Sequence, residues 1–68
     1  MPVFRVVKRS DAEQFIRAKD DGLRIAGVFD TGKRHVEYDG YVRSVHVEAA
    51  ADGVSWVVSI LDADEDLE

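Results

Sequence analysis

Three glycine-containing dipeptides divide the chain after residue 22 and limit how it can fold. They are Thr31-Gly32, Asp39-Gly40 and Asp52-Gly53, and each lies between stretches of alternating apolar and polar residues. Such dipeptides favour tight hairpins, because glycine adopts the positive φ that two-residue loops require. The sequence therefore predicts a meander of four antiparallel strands over residues 23–61.

A two-residue loop fixes which residues lie opposite each other, so the three hairpins also predict the two faces of the sheet. One face collects most of the large apolar side chains: Leu23, Ile25, Phe29, Val36, Tyr38, Tyr41, Val45, Val47, Trp56, Val58 and Ile60. Arg43 falls on this face, opposite Val36. Either its stem packs there while its charge reaches the rim, or the register of the Asp39-Gly40 hairpin is wrong.

The N-terminal third predicts one strand and one helix. Residues 3–7 are β-branched or aromatic apart from Arg5, which is typical of a strand. Ser10 and Glu13 have the spacing of a capping box, and Gly22 is placed to end the helix. The apolar stripe that should cover the sheet consists of Ala12, Phe15, Ile16 and the stem of Lys19.

Together these elements predict an α+β domain over residues 1–61, with one helix packed on one face of an antiparallel sheet of four to five strands (β-α-β-β-β-β). We place the first strand beside the last, where it is antiparallel; a parallel position beside the second strand is the alternative. Residues 62–68 form an acidic run with little to bury, and we expect a flexible tail there.

Composition narrows the class of protein. A hydrophobic content of 46% with one proline indicates a folded domain. The absence of cysteine excludes disulfides and thiolate metal sites and fits a cytoplasmic location. No apolar run approaches a membrane span, so we expect no membrane partner. A net charge of −5 opposes direct nucleic-acid binding.

Nothing in the sequence matches a catalytic motif. The serines lack a nucleophile elbow and the glycines form no phosphate-binding loop. His35, Glu37, His46 and Glu48 share the second face of the predicted sheet, with His35 diagonal to His46, but they lack the spacing of a compact metal motif. We therefore predict no enzyme, no cofactor and no metal site, and keep a small metal-dependent or acid/base enzyme around the two histidines as an alternative.

The charges divide the chain into two halves. Residues 1–34 carry eight Lys or Arg and five acids, a net charge of +3, whereas residues 35–68 carry one base and nine acids, a net charge of −8. An acidic surface of this kind can occupy a basic groove of a protein complex by offering carboxylates to bases that otherwise hold phosphates. The predicted partner-binding residues are Glu37, Asp39, Glu48, Asp52, Asp62 and Asp64.

Two other interpretations remain open. The acids can serve solubility alone, as they do in many small domains. The second face of the sheet, with Val28, Val42, Val57 and Leu61 among polar residues, can instead form the contact of a structural or adaptor homodimer. The predicted state is therefore a monomer or a weak homodimer.

The chain as a whole resembles the small, acidic, phage-borne anti-CRISPR proteins, in particular those that inhibit type I-C effector complexes with a single helix on an antiparallel sheet. Its length, the helix over residues 10–22, the strands predicted after it and the acids of residues 37–66 carry the resemblance. It implies an inhibitor that binds the RNA-guided complex and blocks its access to target DNA. These families share no signature, so the resemblance assigns no role to an individual residue, and the basic N-terminal half departs from uniform charge mimicry.

Overall fold

The computed structural model describes residues 2–63. Its elements are β1 (Val3–Val6), α1 (Arg9–Asp21), β2 (Arg24–Asp30), β3 (His35–Ala50) and β4 (Gly53–Asp62). The strands form one antiparallel sheet in the order β1-β4-β3-β2, with α1 packed on one face, which we call the helix face. The α+β prediction is confirmed with four strands rather than five, and β1 lies beside β4 as preferred.

The predicted hairpin at Asp39-Gly40 is wrong, because β3 runs through it as one strand of 16 residues. β2 pairs with residues 35–41 of β3, and β4 pairs with residues 40–50 on the opposite side. A side chain at Gly40 would overlap the carbonyl oxygen of Leu61 and would lie 3.0 Å from the amide nitrogen of Ala63. Glycine is therefore needed here for the close approach of β4 and not for a turn.

A β-bulge at Arg43 explains why the second half of β3 still faces the helix as predicted. The register shifts between Val42 and Ser44, so that Val42 and Val45 both point to the helix face. Val42 is buried there and Arg43 is exposed. The sequence had placed Val42 on the second face and Arg43 and Tyr41 on the apolar face; these three assignments are wrong, because they followed from the missing hairpin.

The two remaining hairpins exist, but both registers differ from prediction by two residues. Two-residue loops at Thr31-Gly32 and Asp52-Gly53 would place Phe29 opposite Arg34 and Val47 opposite Val58. The observed partners are Val36 for Phe29 and Trp56 for Val47. The first loop spans residues 31–34, where the Asp30 carboxylate accepts a 2.8 Å hydrogen bond from the Gly32 amide. A shift of two residues leaves every side chain on its predicted face, because side chains alternate with a period of two.

Helix α1 begins differently from the prediction and ends as predicted. The residue before its first turn is Lys8, which has no side-chain cap, so the Ser10–Glu13 capping box is wrong. Glu13 lies instead 3.8 Å from Arg9, one turn away. At the other end Gly22 has a φ of 65° and its amide donates to the Lys19 carbonyl, as expected of a left-handed terminating residue.

An aromatic cluster joins the helix to the sheet. The ring of Phe15 lies 5.3 Å from that of Phe4, edge-on, and 5.8 Å from that of Tyr38. Phe4 stacks on Phe29 at 4.9 Å, which brings β1 close to the end of the β2–β3 hairpin. Ile16, predicted for the same stripe, is 37% exposed. Small residues complete the buried side of the helix, namely Ala12 and Ala18.

Within residues 2–63 no helix has the length and apolar character needed to cross a membrane. Asp62, the first residue of the predicted tail, is the last residue of β4. The rest of that tail from residue 64 onward lies outside the described residues.

Candidate functional site

The six predicted partner-binding acids do not form one surface. Glu37, Asp39 and Asp62 line the same groove. Asp52 lies in the turn between β3 and β4, at the opposite end of β4 from Asp62. At a strand rise of roughly 3.3 Å per residue, this places Asp52 about 30 Å from the groove. Glu48 lies on β3 near that turn, and Asp64 lies outside the described residues.

The groove forms where β4 ends and β3 continues. β4 pairs with β3 only as far as Gly40, so residues 35–39 of β3 have no strand on that side within the described part of the chain. A space of about 480 Å³ lies at this end of the sheet, against residues of β2, β3 and the end of β4. We call it the acidic groove; its lining residues are Gly27, Val28, Glu37, Tyr38, Asp39, Asp62 and Ala63.

The inner wall of the acidic groove is continuous with the core. Gly27 lies opposite Tyr38 in the sheet, and the tyrosine ring lies over it, with its hydroxyl 3.1 Å from the position that a Cβ of Gly27 would take. The same ring packs 5.8 Å from that of Phe4. The ring of Tyr38 therefore packs between Gly27 and Phe4 and places an aromatic wall along the groove.

Arg24 holds one of the three groove acids in place. Its Nε and Nη2 atoms donate to the two carboxylate oxygens of Asp39 at 3.0 and 3.1 Å. These hydrogen bonds lower the pKa of Asp39 below its ordinary value of 3.8; partial desolvation opposes the shift and the charge of Arg24 adds to it. Asp39 is therefore ionised at neutral pH, with part of its charge balanced by Arg24. Glu37 and Asp62 add two further carboxylates around the same space.

Glu48 belongs to a different cluster, on the face of the sheet that α1 leaves uncovered. The Arg5 guanidinium donates to the Glu48 carboxylate at 2.8 Å and to the Ser55 hydroxyl at 2.7 Å. The three residues come from β1, β3 and β4, so this cluster ties three neighbouring strands together. Arg5 compensates the charge of Glu48, as Arg24 does for Asp39, and Glu48 lies apart from the acidic groove, which makes it a weaker candidate for a basic partner than the groove residues.

The two histidines are not diagonal neighbours, because the hairpin that would bring them together does not exist. His35 and His46 lie eleven positions apart on β3, roughly 30 Å at the rise of a strand. His35 Nδ1 lies 4.0 Å from a carboxylate oxygen of Asp30. Among residues 2–63 no three His, Asp or Glu side chains are grouped so that they could hold a metal ion.

Two features of the surface were not predicted from the sequence. Arg24 and Arg5 neutralise predicted site acids, and only the observed register reveals these pairs. The second feature is the exposed end of the β3–β4 hairpin, where Val47 and Val54 are 65% and 51% exposed on the helix face. Comparing lengths could have predicted this exposure, since a helix of 13 residues is about 20 Å long and cannot cover a strand of 16 residues.

Comparisons of this chain with protein-family models, with curated proteins and with solved structures find no match.

Proposed function

We propose that this protein is a non-enzymatic interaction protein whose acidic groove binds a basic segment of a partner protein. The observation that carries the proposal is the convergence of Glu37, Asp39 and Asp62 on one groove beside an unpaired stretch of β3. Lys and Arg side chains are the groups that such carboxylates bind most strongly, through charge-assisted hydrogen bonds.

The backbone supports an extended conformation for the bound segment. Residues 35–39 of β3 present backbone amide and carbonyl groups toward the groove side, where no described strand pairs with them. A peptide that adds to a strand edge gains main-chain hydrogen bonds from such groups, while its alternate side chains enter neighbouring pockets. Basic residues at alternate positions of the peptide would then meet Glu37 and Asp39 on the uncovered face, which Val28 shares, and the intervening residues would lie on the face of Tyr38.

The remaining predicted acids have a smaller part in this proposal. Glu48 is paired with Arg5, and Asp52 lies at the far end of β4. Both contribute to the net charge of −5, which attracts a basic partner over longer distances and accelerates encounter. The acidic groove supplies the specific contacts.

For the partner we propose a nucleic-acid-binding protein complex. A basic segment that lines its nucleic-acid groove would enter the acidic groove, so that the carboxylates of this chain take the place of phosphates. The resemblance to anti-CRISPR proteins directs this proposal to a type I-C effector complex, with exclusion of its target DNA as the consequence. Competition of this kind requires only that carboxylates and phosphates bind the same Lys and Arg side chains.

The first test measures the acidic groove itself. Fluorescence anisotropy with a labelled peptide of alternating Lys and Thr, about eight residues long, is expected to show binding that weakens strongly between about 0.05 M and about 0.5 M salt. Glu37→Lys should weaken it by at least about tenfold. Asp52→Lys is the matched control, because it changes the net charge equally at a site remote from the groove. Equal losses of affinity in both variants, or no binding by the native chain, would refute peptide binding at the acidic groove.

The second test measures the partner. Purified type I-C effector complex, loaded with its guide, is titrated with the protein before a labelled target duplex is added. The native chain should prevent DNA binding, Glu37→Lys should require a higher concentration, and Asp52→Lys should resemble the native chain. Peptide binding without any effect on DNA binding would retain the groove and refute this partner.

A further inference from the structure

The second half of β3 has an edge with which no described strand pairs. Residues 44–50 pair with β4 on one side, whereas β2 on the other side reaches only as far as the pair of Arg24 with Tyr41. We call this stretch, on the side away from β4, the open edge. It lies at the end of β3 opposite to the acidic groove.

The open edge lacks the features that usually prevent strand edges from pairing. Natural edges are short, carry Lys or Pro, contain a bulge or are covered by another element. The sequence here is Ser-Val-His-Val-Glu-Ala-Ala, with no Lys and no Pro, and the bulge at Arg43 lies before it. β1, which also lies at an edge of the sheet, is only four residues long. The open edge therefore favours pairing with another strand.

A second copy of this chain fits the open edge in one antiparallel register. In a symmetric antiparallel pairing, the two-fold axis must pass between the two copies of one residue. Otherwise residues that point to opposite faces of the sheet would lie directly opposite each other. An axis at Glu48 places two carboxylates opposite each other. An axis at His46 brings Ala50 of the second copy to Val42, next to Tyr41, with which Arg24 already pairs. An axis at Val47 avoids both conflicts.

The register centred on Val47 is also complementary in shape and opposes no like charges. On the uncovered face it places His46 opposite Glu48 of the second copy, whose carboxylate is held by Arg5 on the side of β4. On the helix face Val47 meets its own copy, and Val45 meets Ala49 of the second copy. Val47, which is 65% exposed in the single chain, would gain an apolar neighbour.

We propose that the protein forms a homodimer by antiparallel pairing of the open edges of two copies, with Val47 at the two-fold axis, so that two four-stranded sheets join into one of eight strands. Seven paired residues extend over about 23 Å. This contact is smaller than the roughly 1,200 Å² that stable interfaces bury, so we expect a dissociation constant in the range of about 10 µM to 1 mM. The acidic groove stays free in both copies.

Sedimentation equilibrium of the full chain over a concentration series tests the dimer. We expect a reversible monomer–dimer equilibrium that Val47→Lys weakens by about tenfold, because it places two ammonium groups opposite each other. Val54→Lys is the matched control: it lies on the same hairpin and the same face, but on β4. Circular dichroism checks that both variants fold. A native chain that stays monomeric at about 1 mM, or equal effects of the two substitutions, would overturn the proposal.

Cysteine cross-linking tests the register without depending on a lysine variant, since the chain has no native cysteine. Under mild oxidation Val47→Cys should form a covalent dimer, because directly opposite residues of an antiparallel pair have Cα separations that a disulfide can span. Val45→Cys should cross-link efficiently only when mixed with Ala49→Cys. Val54→Cys is the control. Cross-linking of Val47→Cys no greater than that of Val54→Cys would refute this register and the dimer built on it.

Discussion

The carbonyl oxygen of Leu61 occupies the place that a side chain of Gly40 would need. Gly40 is buried where β3 passes from β2 to β4, and it pairs directly with Asp62. A Cβ there would also come 2.9 Å from the Leu61 carbonyl carbon and 3.0 Å from the Ala63 amide nitrogen. The neighbours are backbone atoms of a paired strand, so they cannot move aside without breaking the sheet.

Gly40→Ala is therefore expected to destabilise the fold by about 3 kcal/mol or more, because overpacking against backbone leaves no low-energy rearrangement. A small domain has only a few kcal/mol of stability, so much of the variant should be unfolded. Urea denaturation followed by circular dichroism measures this. Gly27→Ala is the matched control; its Cβ would meet the hydroxyl end of Tyr38, which can shift, and should cost about 1 kcal/mol. Similar midpoints for both variants would contradict the prediction.

Phe15→Ala should be far more damaging than Ile16→Ala, although the sequence placed both residues on the buried stripe. Phe15 is 5% exposed and contacts three aromatic rings, so its loss should cost about 3–5 kcal/mol. Ile16 is 37% exposed, and alanine is a better helix former, so the second variant should lose less than about 1 kcal/mol. Urea midpoints of the two variants provide the comparison. Equal losses would show that the helix buries a different side.

Asp39→Asn should lower the melting temperature slightly at neutral pH, and the difference from the native chain should shrink in acid. The Arg24 hydrogen bonds lower the pKa of Asp39 in the folded state. A carboxyl group whose pKa is lowered on folding stabilises the fold fully at pH values above its unfolded-state pKa, which is near 3.8 here. This contribution is lost as the pH falls through the lower pKa of the folded state. The effect is small, because both side chains are more than half exposed.

Thermal melts of both proteins at pH 7, 4 and 3 check this dependence. Glu37→Gln serves as the control, because Glu37 lies on the same strand and has no ion pair among residues 2–63. A difference between Asp39→Asn and the native chain that stays constant down to pH 3 would rule out the ion pair as its cause.

A double-mutant cycle on Arg5 and Glu48 should show a modest favourable coupling. The single variants Arg5→Ala and Glu48→Ala each break the 2.8 Å contact, and the double variant breaks it only once. We expect a coupling free energy of about 0.2–1 kcal/mol, since both side chains are over 50% exposed. Arg5 with Asp20, which lies on helix α1 on the other side of the sheet, provides a pair with no expected coupling. A coupling of zero for Arg5 with Glu48 would remove the structural role assigned to this pair.

The faces of the sheet were predictable even where the registers were not. Both observed hairpins differ from the predicted pairing by two residues, yet Phe29, Val36, Trp56 and Val58 all point to the helix face as expected. The reason is the two-residue period of a strand, which makes an even shift invisible to the pattern of apolar residues. The loops decided the registers. The side chains of Asp30 and Thr31 lengthened the first loop by bonding its amides, and the second loop kept two residues but lies at Ala51-Asp52 instead of Asp52-Gly53.

The candidate site was predictable in its composition and not in its grouping. The acids of the second half are evident in the sequence, and three of them do line one groove. Which ones converge depends on where β4 ends along β3. Asp39 is paired with Arg24 and Glu48 with Arg5, and each arginine is distant in sequence from its acid.

The sequence by itself determined the elements whose causes are local: one helix ended by Gly22, β strands with one apolar face, and an excess of acid in the second half. Only the tertiary structure decided whether Gly40 makes a turn or admits a neighbouring strand, because both roles require a missing side chain and the neighbour lies more than twenty residues away. The same long-range pairing created the acidic groove and the open edge. Both exist because β3 is longer than either strand that pairs with it.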